Sequence, residues 1–161
     1  MYVESKVDFN LPKSKILKLI TEPGNLEKYH PFCKKNEIIK WPGNGSVDIL
    51  EYHNGMRFKR EFFNWSDNGY DLKIGGRRNM AIVNWVVKGD DYKSSLRVRI
   101  NPNIKNYIPI KNIFIQRVLW FVYIKPMLQS YINHVIRGFN HHMNTETNVL
   151  RNQFGTHRWF S

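Results

Sequence analysis

Six histidines have the widest chemical repertoire in this 161-residue sequence, because imidazole can bind a metal ion or transfer a proton near neutral pH. His141 and His142 are adjacent, so on a helix their side chains point about 100° apart. No HExxH or CxxC spacing occurs either. We therefore expect no metal and no other cofactor. His30, which precedes Pro31-Phe32, and His134, in the last predicted helix, are the candidate general acid–base groups.

Arg60 could bind an anion, because a guanidinium forms two parallel hydrogen bonds with a carboxylate or phosphate. The strand pattern given below places Arg60 among apolar side chains, where a charge is unfavourable unless it is paired. Glu51 lies diagonally across the predicted hairpin, within reach of a long side chain. We interpret Arg60 and Glu51 as a structural ion pair. The alternative is that Arg60 anchors a ligand carboxylate or phosphate.

The sequence carries no other catalytic signature. Cys33 has no neighbours that mark it as a nucleophile, and there is no GxSxG, Walker A or strand-following GxGxxG pattern. A single cysteine cannot form an internal disulfide, which is typical of a reducing compartment, and residues 1–13 lack the pattern of a secretory signal. We therefore predict a cytoplasmic protein and assign no catalytic residue.

Lysine and arginine outnumber aspartate and glutamate by 25 to 13, for a formal net charge of +12. This excess favours anionic partners such as a membrane surface or nucleic acid. The basic residues are dispersed, and their closest groupings are Lys34-Lys35 and Arg77-Arg78. We interpret them as a solvated basic surface, with peripheral contact to an anionic membrane as an alternative role. Nucleic-acid binding is disfavoured, because the basic sheet face lacks exposed aromatic side chains that would stack on bases.

The elements that position these residues begin with a strand, since Tyr2–Phe9 alternates between apolar and polar side chains. Two short helices follow, one that ends at Pro23-Gly24 and one over Asn25–Tyr29. Tight turns then separate six further strands, which predicts an antiparallel meander. These strands are Glu37–Trp41, Val47–His53, Met56–Trp65, Tyr70–Gly75, Met80–Lys88 and Tyr92–Ile100.

Two turns determine the predicted register of the meander. Asn54-Gly55 predicts a two-residue turn, which pairs Glu51 with Phe58 and Ile49 with Arg60. A three-residue turn at Asp67–Gly69 pairs Phe62 with Ile74. One face of the sheet, which we call the inner face, is then mainly apolar. It carries Met56, Phe58, Arg60, Phe62, Leu72, Ile74, Ala81, Val83, Trp85, Val87, Leu96, Val98 and Ile100.

A long helical segment after Pro102 and Pro109, bent near Pro126, is predicted to cover the inner face. Its apolar stripe consists of Leu128, Ile132, Val135, Phe139 and Met143. The preceding segment, residues 113–123, is apolar on nearly all sides. We interpret this segment as buried. The alternative is a gate that touches a membrane, with the basic neighbours Lys105, Lys111, Arg117 and Lys125.

This order of elements resembles the helix-grip fold of the START-like (SRPBCC) superfamily, which includes the birch-pollen-allergen proteins and the polyketide aromatase/cyclases. The local features that carry the resemblance are Pro31-Phe32, Tyr52-x-Asn54-Gly55, Phe58-x-Arg60, Gly69-Tyr70-Asp71-Leu72, and Tyr131 with Val135 and Gly138. The resemblance covers essentially the whole chain. It implies an α+β fold, with residues 1–161 forming a single ligand-binding domain.

The resemblance also implies a cavity between the curved sheet and the last helix, which would bind or transport a lipid, polyketide or similar small hydrophobic or amphipathic molecule. The alternative is a polyketide cyclase/dehydratase-type enzyme that uses the same cavity. The superfamily has no universal catalytic residue. The side chains predicted to contact the ligand are Phe58, Arg60, Phe62, Tyr70, Leu72, Val83, Trp85, Val98, Tyr131, Val135 and Phe139.

Overall fold

The computed structural model describes residues 1–107, 110 and 112–161, with only the backbone of Asn79. Seven strands in these ranges form one antiparallel sheet, in the order β1-β7-β6-β5-β4-β3-β2. The predicted meander is therefore confirmed, although β2 begins earlier than the predicted Glu37. The strands are β1 (Val3–Phe9), β2 (Cys33–Lys40), β3 (Val47–Tyr52), β4 (Arg57–Ser66), β5 (Gly69–Gly75), β6 (Asn79–Gly89) and β7 (Ser94–Pro102).

Helices lie in two places along the chain, between β1 and β2 and after β7. The first pair is α1 (Lys13–Thr21) and α2 (Leu26–Tyr29), and the later helices are α3 (Ile104–Tyr107), α4 (Ile113–Leu119) and α5 (Lys125–Thr145). A π-helical turn, Trp120–Ile124, joins α4 to α5, so one helix runs from Ile113 to Thr145. The turn ends two residues before Pro126, which has no N–H to continue the α-helical bonds. Pro109 and Lys111 lie outside the described residues.

The C-terminal helix packs across the inner face of the sheet through the predicted stripe. Leu128, Ile132, Val135, Phe139 and Met143 are all buried. On β6 and β7 the alternation is also as predicted, with Trp85 and Val98 inside and Arg97 and Arg99 on the outer face. The stripe and the sheet therefore share one apolar core.

The hairpin between β3 and β4 has a three-residue loop in place of the predicted two-residue turn. The Tyr52 N–H donates to the Met56 carbonyl at 2.8 Å, which leaves residues 53–55 as the loop. Gly55 has a φ of +87°, the left-handed conformation that glycine adopts without strain. A type I turn followed by a left-handed glycine is the usual three-residue hairpin loop.

The extra loop residue turns every β3 side chain to the opposite face from the predicted one. Asp48 lies directly opposite Arg60, where Ile49 was predicted. Glu51, predicted on the inner face, faces outward and bonds to Lys34 Nζ at 2.7 Å. The predicted pairing of Arg60 with Glu51 is therefore wrong.

The connection between β4 and β5 also differs from the prediction. Phe62 pairs with Leu72 in place of Ile74, because the loop is only Asp67-Asn68 and a bulge interrupts the ladder near Asn64. Asn64 has a φ of +51°, a conformation that asparagine tolerates better than most residues. The pairing shifts by two positions, an even number, so Phe62 and Leu72 keep their predicted inner face.

The apolar segment 113–123 is mostly exposed, so our interpretation of it as buried is wrong. Trp120 is its one buried residue, and α4 contains none. The side chains of Phe114 and Val122 are 72% and 73% exposed. None of the helices in the described ranges combines the length and hydropathy needed to cross a membrane. The exposed apolar residues are Ile113, Phe114, Ile115, Val118, Phe121, Val122 and Tyr123.

Candidate functional site

The inner face of the sheet and α5 enclose a cavity of about 60 Å³. Its deep end lies among fully buried side chains such as Leu72, Trp85 and Val135. Half-buried side chains border the other end, and these are Phe58, Ile74, Met80 and Tyr107. The wall is therefore mainly apolar and opens toward the end of the sheet where β6 begins.

Most of the side chains predicted to contact a ligand do meet at this cavity. They are Phe58, Arg60, Leu72, Val83, Trp85, Val98, Tyr131 and Val135. They come from β4, β5, β6, β7 and α5, because the inner faces of four neighbouring strands and one side of the helix converge there. Their contact with a ligand stays a prediction.

The structure does not bring Phe62, Tyr70 and Phe139 to the cavity wall. The rings of Phe62 and Tyr70 contact each other edge to face, with 5.0 Å between their centroids. The Tyr70 hydroxyl donates to the Ile20 carbonyl of α1. Phe139 contacts Tyr29 of α2 at 5.0 Å. These rings fill the part of the inner face that α1 and α2 cover. The cavity is therefore confined to the remaining part.

Arg60 forms a buried ion pair with Asp48. Its Nε donates to Asp48 Oδ1 at 2.7 Å, and its Nη2 donates to Asp48 Oδ2. The two side chains are 4% and 0% exposed. Burial by itself lowers the pKa of the guanidinium, but Asp48 raises that pKa above its ordinary value, so Arg60 stays charged. Arg60 is thus a structural partner of Asp48, and its charge is already neutralised where it borders the cavity.

A chain of three polar side chains lies on the same wall. His30 Nε2 is 2.9 Å from the Tyr131 hydroxyl, which is 3.0 Å from the Tyr52 hydroxyl. His30 Nδ1 accepts a hydrogen bond from the Phe32 N–H at 3.2 Å. Burial, followed by the charge of Arg60, lowers the pKa of His30 to about 3, so the ring is neutral at physiological pH. Its single proton is therefore on Nε2 and points to Tyr131.

A glycine on α5 allows His30 to reach this position. A Cβ at Gly138 would lie 2.0 Å from the Tyr29 carbonyl oxygen, so only glycine permits α2 to approach α5 this closely. His30 follows Tyr29 directly, at the end of α2. The close contact of the two helices thus holds the His30 ring against Tyr131.

His134, the other predicted acid–base candidate, has a structural position. Its Nδ1 contacts the Ser130 carbonyl at 2.7 Å, and its Nε2 contacts the Phe154 carbonyl at 3.0 Å. It does not border the cavity. Nδ1 thus bonds within α5, and Nε2 connects α5 to the segment that follows it.

This segment, residues 146–161, folds back and completes the cavity wall. The Asn152 N–H donates to the Pro31 carbonyl at 3.0 Å, and His157 Nε2 contacts the Met127 carbonyl at 2.9 Å. The Phe160 ring then stacks on Tyr52 at 4.7 Å and borders the cavity.

Sequence reasoning missed several of the side chains that border the cavity, among them Tyr52, Tyr107 and Phe160. Tyr52 was missed because the incorrect β3 register placed it on the outer face. The signal that could have corrected the register is the opposite charge of Asp48 and Arg60, which pair only in the observed register. Tyr107 and Phe160 follow no periodic pattern, because they lie in a four-residue helix and an irregular segment.

Comparisons by sequence identify no relative, since no protein-family model and no curated protein matches the chain significantly. Solved structures do match. DynU16, a protein in the dynemicin biosynthetic locus, superposes with a TM-score of 0.69 at 12% identity over 94% of this chain. The chain spans about half of that protein, 51% of its length.

Two further structures match along nearly their whole length. A START superfamily protein from Mycobacterium smegmatis has a TM-score of 0.64 at 12% identity, over 91% of this chain and 99% of its own. Ara h 8.0201 has a TM-score of 0.52 at 16% identity, over 84% of this chain and 94% of its own. At these identities the likeness is one of fold. With its curved seven-stranded sheet and long C-terminal helix, the chain has the START-like helix-grip fold.

Proposed function

We propose that residues 1–161 act as a single domain that binds a small apolar or amphipathic molecule in the cavity between the sheet and α5. The observation that carries the proposal is the cavity itself, which has an apolar wall with one short polar stretch. Ligand sites are typically apolar pockets with a few polar groups that orient the ligand. The START-like fold supports the same proposal. We propose a cytoplasmic location, which suits the free thiol of buried Cys33.

The cavity is too small for a drug-sized ligand, and we propose that the structure represents a closed state. Pockets for drug-sized ligands have volumes of roughly 300–1,000 Å³, against about 60 Å³ here. A lipid or polyketide would therefore require the wall to move. We propose that Phe160 moves, because it borders the cavity from the irregular C-terminal segment and not from the sheet or α5.

The arrangement favours binding over catalysis. His30 is the residue of the wall best suited to proton transfer, but its Nδ1 is occupied by the Phe32 N–H and its Nε2 already carries the proton. A general base needs a free acceptor within reach of the substrate. A cyclase/dehydratase-type enzyme therefore remains our second proposal, supported by the likeness to a protein of the dynemicin locus.

Filling the cavity should weaken binding. We expect the neutral fluorophore N-phenyl-1-naphthylamine to bind at one molecule per chain. Ala81→Leu places a larger side chain in the cavity and should weaken binding at least about tenfold, a loss of roughly 1.4 kcal/mol. The measurement is a fluorescence titration. Val86→Leu, on the outer face of the same strand, is the matched control and should bind as the wild type does. Equal affinity in both variants would exclude this cavity as the binding site.

We further propose that the protein collects or releases its ligand at an anionic membrane, through the exposed apolar side chains of α4 and the π-helical turn. Large exposed apolar patches usually mark interaction surfaces. The charge around this patch favours a membrane over a protein partner, because residues 92–145 contain no aspartate or glutamate. Glu4, which lies beside Phe121 and Lys125, is paired with Arg99. Lys125 Nζ lies 5.5 Å from the Phe121 ring, and Arg158 lies 6.0 Å from the Tyr123 ring. Tyr123 also contacts Trp159, the neighbour of Phe160, so the patch lies beside the cavity.

Removing exposed apolar side chains should release the protein from vesicles. Phe114→Ser with Val122→Ser should lower affinity for phosphatidylcholine vesicles with 30% phosphatidylserine about tenfold or more, because each side chain loses roughly 1 kcal/mol of burial. Arg117→Glu with Lys125→Glu should have a similar effect that high salt removes. Vesicle sedimentation measures both.

The control for vesicle binding is Leu150→Ser, which removes a side chain that is 71% exposed outside the patch. It should bind vesicles like the wild type. Light scattering without vesicles tests whether a second copy of the chain, and not a membrane, binds to the patch. If the protein formed a dimer, the double variant Phe114→Ser with Val122→Ser dissociated that dimer, and the protein did not bind the vesicles, the membrane proposal would be wrong. The partner of the patch would then be a second copy of the chain.

A further inference from the structure

The hydroxyl groups of Tyr52 and Tyr131 have two hydrogens between them, and their hydrogen bonds use only one of these. Burial raises the pKa of both phenols, so both keep their protons. One hydroxyl hydrogen forms the bond of 3.0 Å between the two oxygens. The His30 N–H donates to the Tyr131 oxygen, so this hydrogen bond uses neither of the two hydroxyl hydrogens. Among the described residues, the second hydroxyl hydrogen has no acceptor.

The hydrogen bonds favour Tyr52 as the group with the unused hydrogen. If Tyr131 accepts from His30 and donates to Tyr52, each group strengthens the next one along the chain. The terminal donor is then the Tyr52 hydroxyl, on the cavity wall. An unpaired donor in apolar surroundings is unfavourable. An acceptor atom in the cavity would remove that cost.

The charge of the wall determines which kind of acceptor fits. Arg60 is the one charged side chain that borders the cavity in the part of the chain that the structure describes, and Asp48 occupies its Nε and Nη2. The pair has no net charge. A carboxylate in the cavity would therefore bring an unbalanced negative charge into apolar surroundings, which is strongly unfavourable. A carbonyl, ester, ether or hydroxyl oxygen would accept the same hydrogen without that cost.

We infer that the cavity selects a neutral ligand with an acceptor oxygen, which the Tyr52–Tyr131 hydroxyl pair binds. The inference rests on the proposed function, since the ligand occupies the same cavity. From the sequence alone, an acidic ligand bound by Arg60 was an alternative. A neutral ligand is now favoured, because the Asp48 carboxylate already binds the guanidinium where a ligand carboxylate would bind.

Three small probes of nearly equal shape test the inference. Acetophenone carries a carbonyl oxygen, α-methylstyrene has a CH₂ group in its place, and benzoate carries a charge. Comparing variants with the wild type for each probe separately cancels the different solubilities of the probes. Tyr52→Phe with Tyr131→Phe should weaken acetophenone binding about fivefold to tenfold, the effect of one hydrogen bond. Binding of α-methylstyrene should change by less than about twofold.

Tyr29→Phe is the matched control, because the buried Tyr29 hydroxyl has no hydrogen-bond partner among the described residues and does not border the cavity. It should leave the affinity for both neutral probes unchanged. Wild-type protein should bind benzoate at pH 7 more weakly than acetophenone. Benzoate binding as tightly as acetophenone, or equal losses for both neutral probes in the double variant, would overturn the inference.

Infrared spectroscopy of the wild type gives a measurement that does not depend on the variants folding. The ¹³C-labelled carbonyl of bound acetophenone should absorb at lower frequency than in hexane, as a hydrogen-bonded carbonyl does. An unshifted band would overturn the inference while leaving the proposed cavity intact. If neither neutral probe bound at all, the proposed function itself would fail, and the inference with it.

Discussion

Arg60→Met is expected to lower the free energy of unfolding by about 3–5 kcal/mol, because it leaves the buried Asp48 carboxylate without its partner. Breaking a buried ion pair costs more than the pair contributes, since the remaining charge is held out of water. Urea denaturation of the wild type and the variant measures the difference. The expected loss is a large part of the stability of a typical small domain, about 5–15 kcal/mol.

A double variant separates the stability lost with the ion pair from the stability lost with the packing of the Arg60 side chain. Arg60→Met with Asp48→Val removes both charges and keeps the combined side-chain volume close to that of the pair, so it should recover most of the lost stability. Glu51→Leu is the control, because Glu51 lies on the outer face and bonds to Lys34 there. We expect it to change stability much less than Arg60→Met does. Large losses in both Glu51→Leu and Arg60→Met, without recovery in the double variant, would support the register first predicted from the sequence.

Acid should destabilise the protein through His30. The pKa of His30 is about 3 in the folded protein, against an ordinary value of 6.5 in the unfolded chain. Between these pH values the unfolded chain binds a proton that the folded protein does not bind, so stability falls as the pH falls. The full contribution, reached near pH 3, is roughly 4–5 kcal/mol. From pH 7 to pH 4.5 we expect a loss of about 2–3 kcal/mol from this residue.

Comparison with a variant isolates this contribution from that of the carboxylates. His30→Gln keeps an uncharged N–H donor for Tyr131 but cannot be protonated. Between pH 7 and pH 4.5, its stability should therefore fall less than that of the wild type, and the difference should equal the loss of about 2–3 kcal/mol assigned to His30. Urea denaturation at both pH values measures the difference. A variant of His30 with unchanged pH dependence would mean that the ring is protonated within the folded protein.

Local sequence patterns determined the architecture of this protein. The alternation on β6 and β7 and the stripe from Leu128 to Met143 depend only on the period of a strand or a helix. Glycine-containing turns separate the strands, so the number and order of the elements could be predicted. The faces of β4 and β5 were predicted correctly although the pairing was wrong, because a shift of two residues restores the same face.

The tertiary structure decided the register of β3 and, with it, the partner of Arg60. Asn54-Gly55 is compatible with a two-residue or a three-residue loop, and the choice inverts the strand. The inner face then receives Asp48, Leu50 and Tyr52. Burial of these side chains and the pairing of Asp48 with Arg60 outweigh the local preference of the turn. That balance depends on residues from separate strands, which a local pattern does not contain.

The tertiary structure also decided the extent and the polar groups of the cavity. His30, Tyr52, Tyr131 and Phe160 come from a loop, a strand, a helix and an irregular segment that are far apart in sequence. Gly138 determines how closely α2 approaches α5, and the aromatic rings near α1 determine where the free space ends. Periodicity predicts which side of an element faces the core. How completely that core is filled depends on the volumes and rotamers of all the elements together.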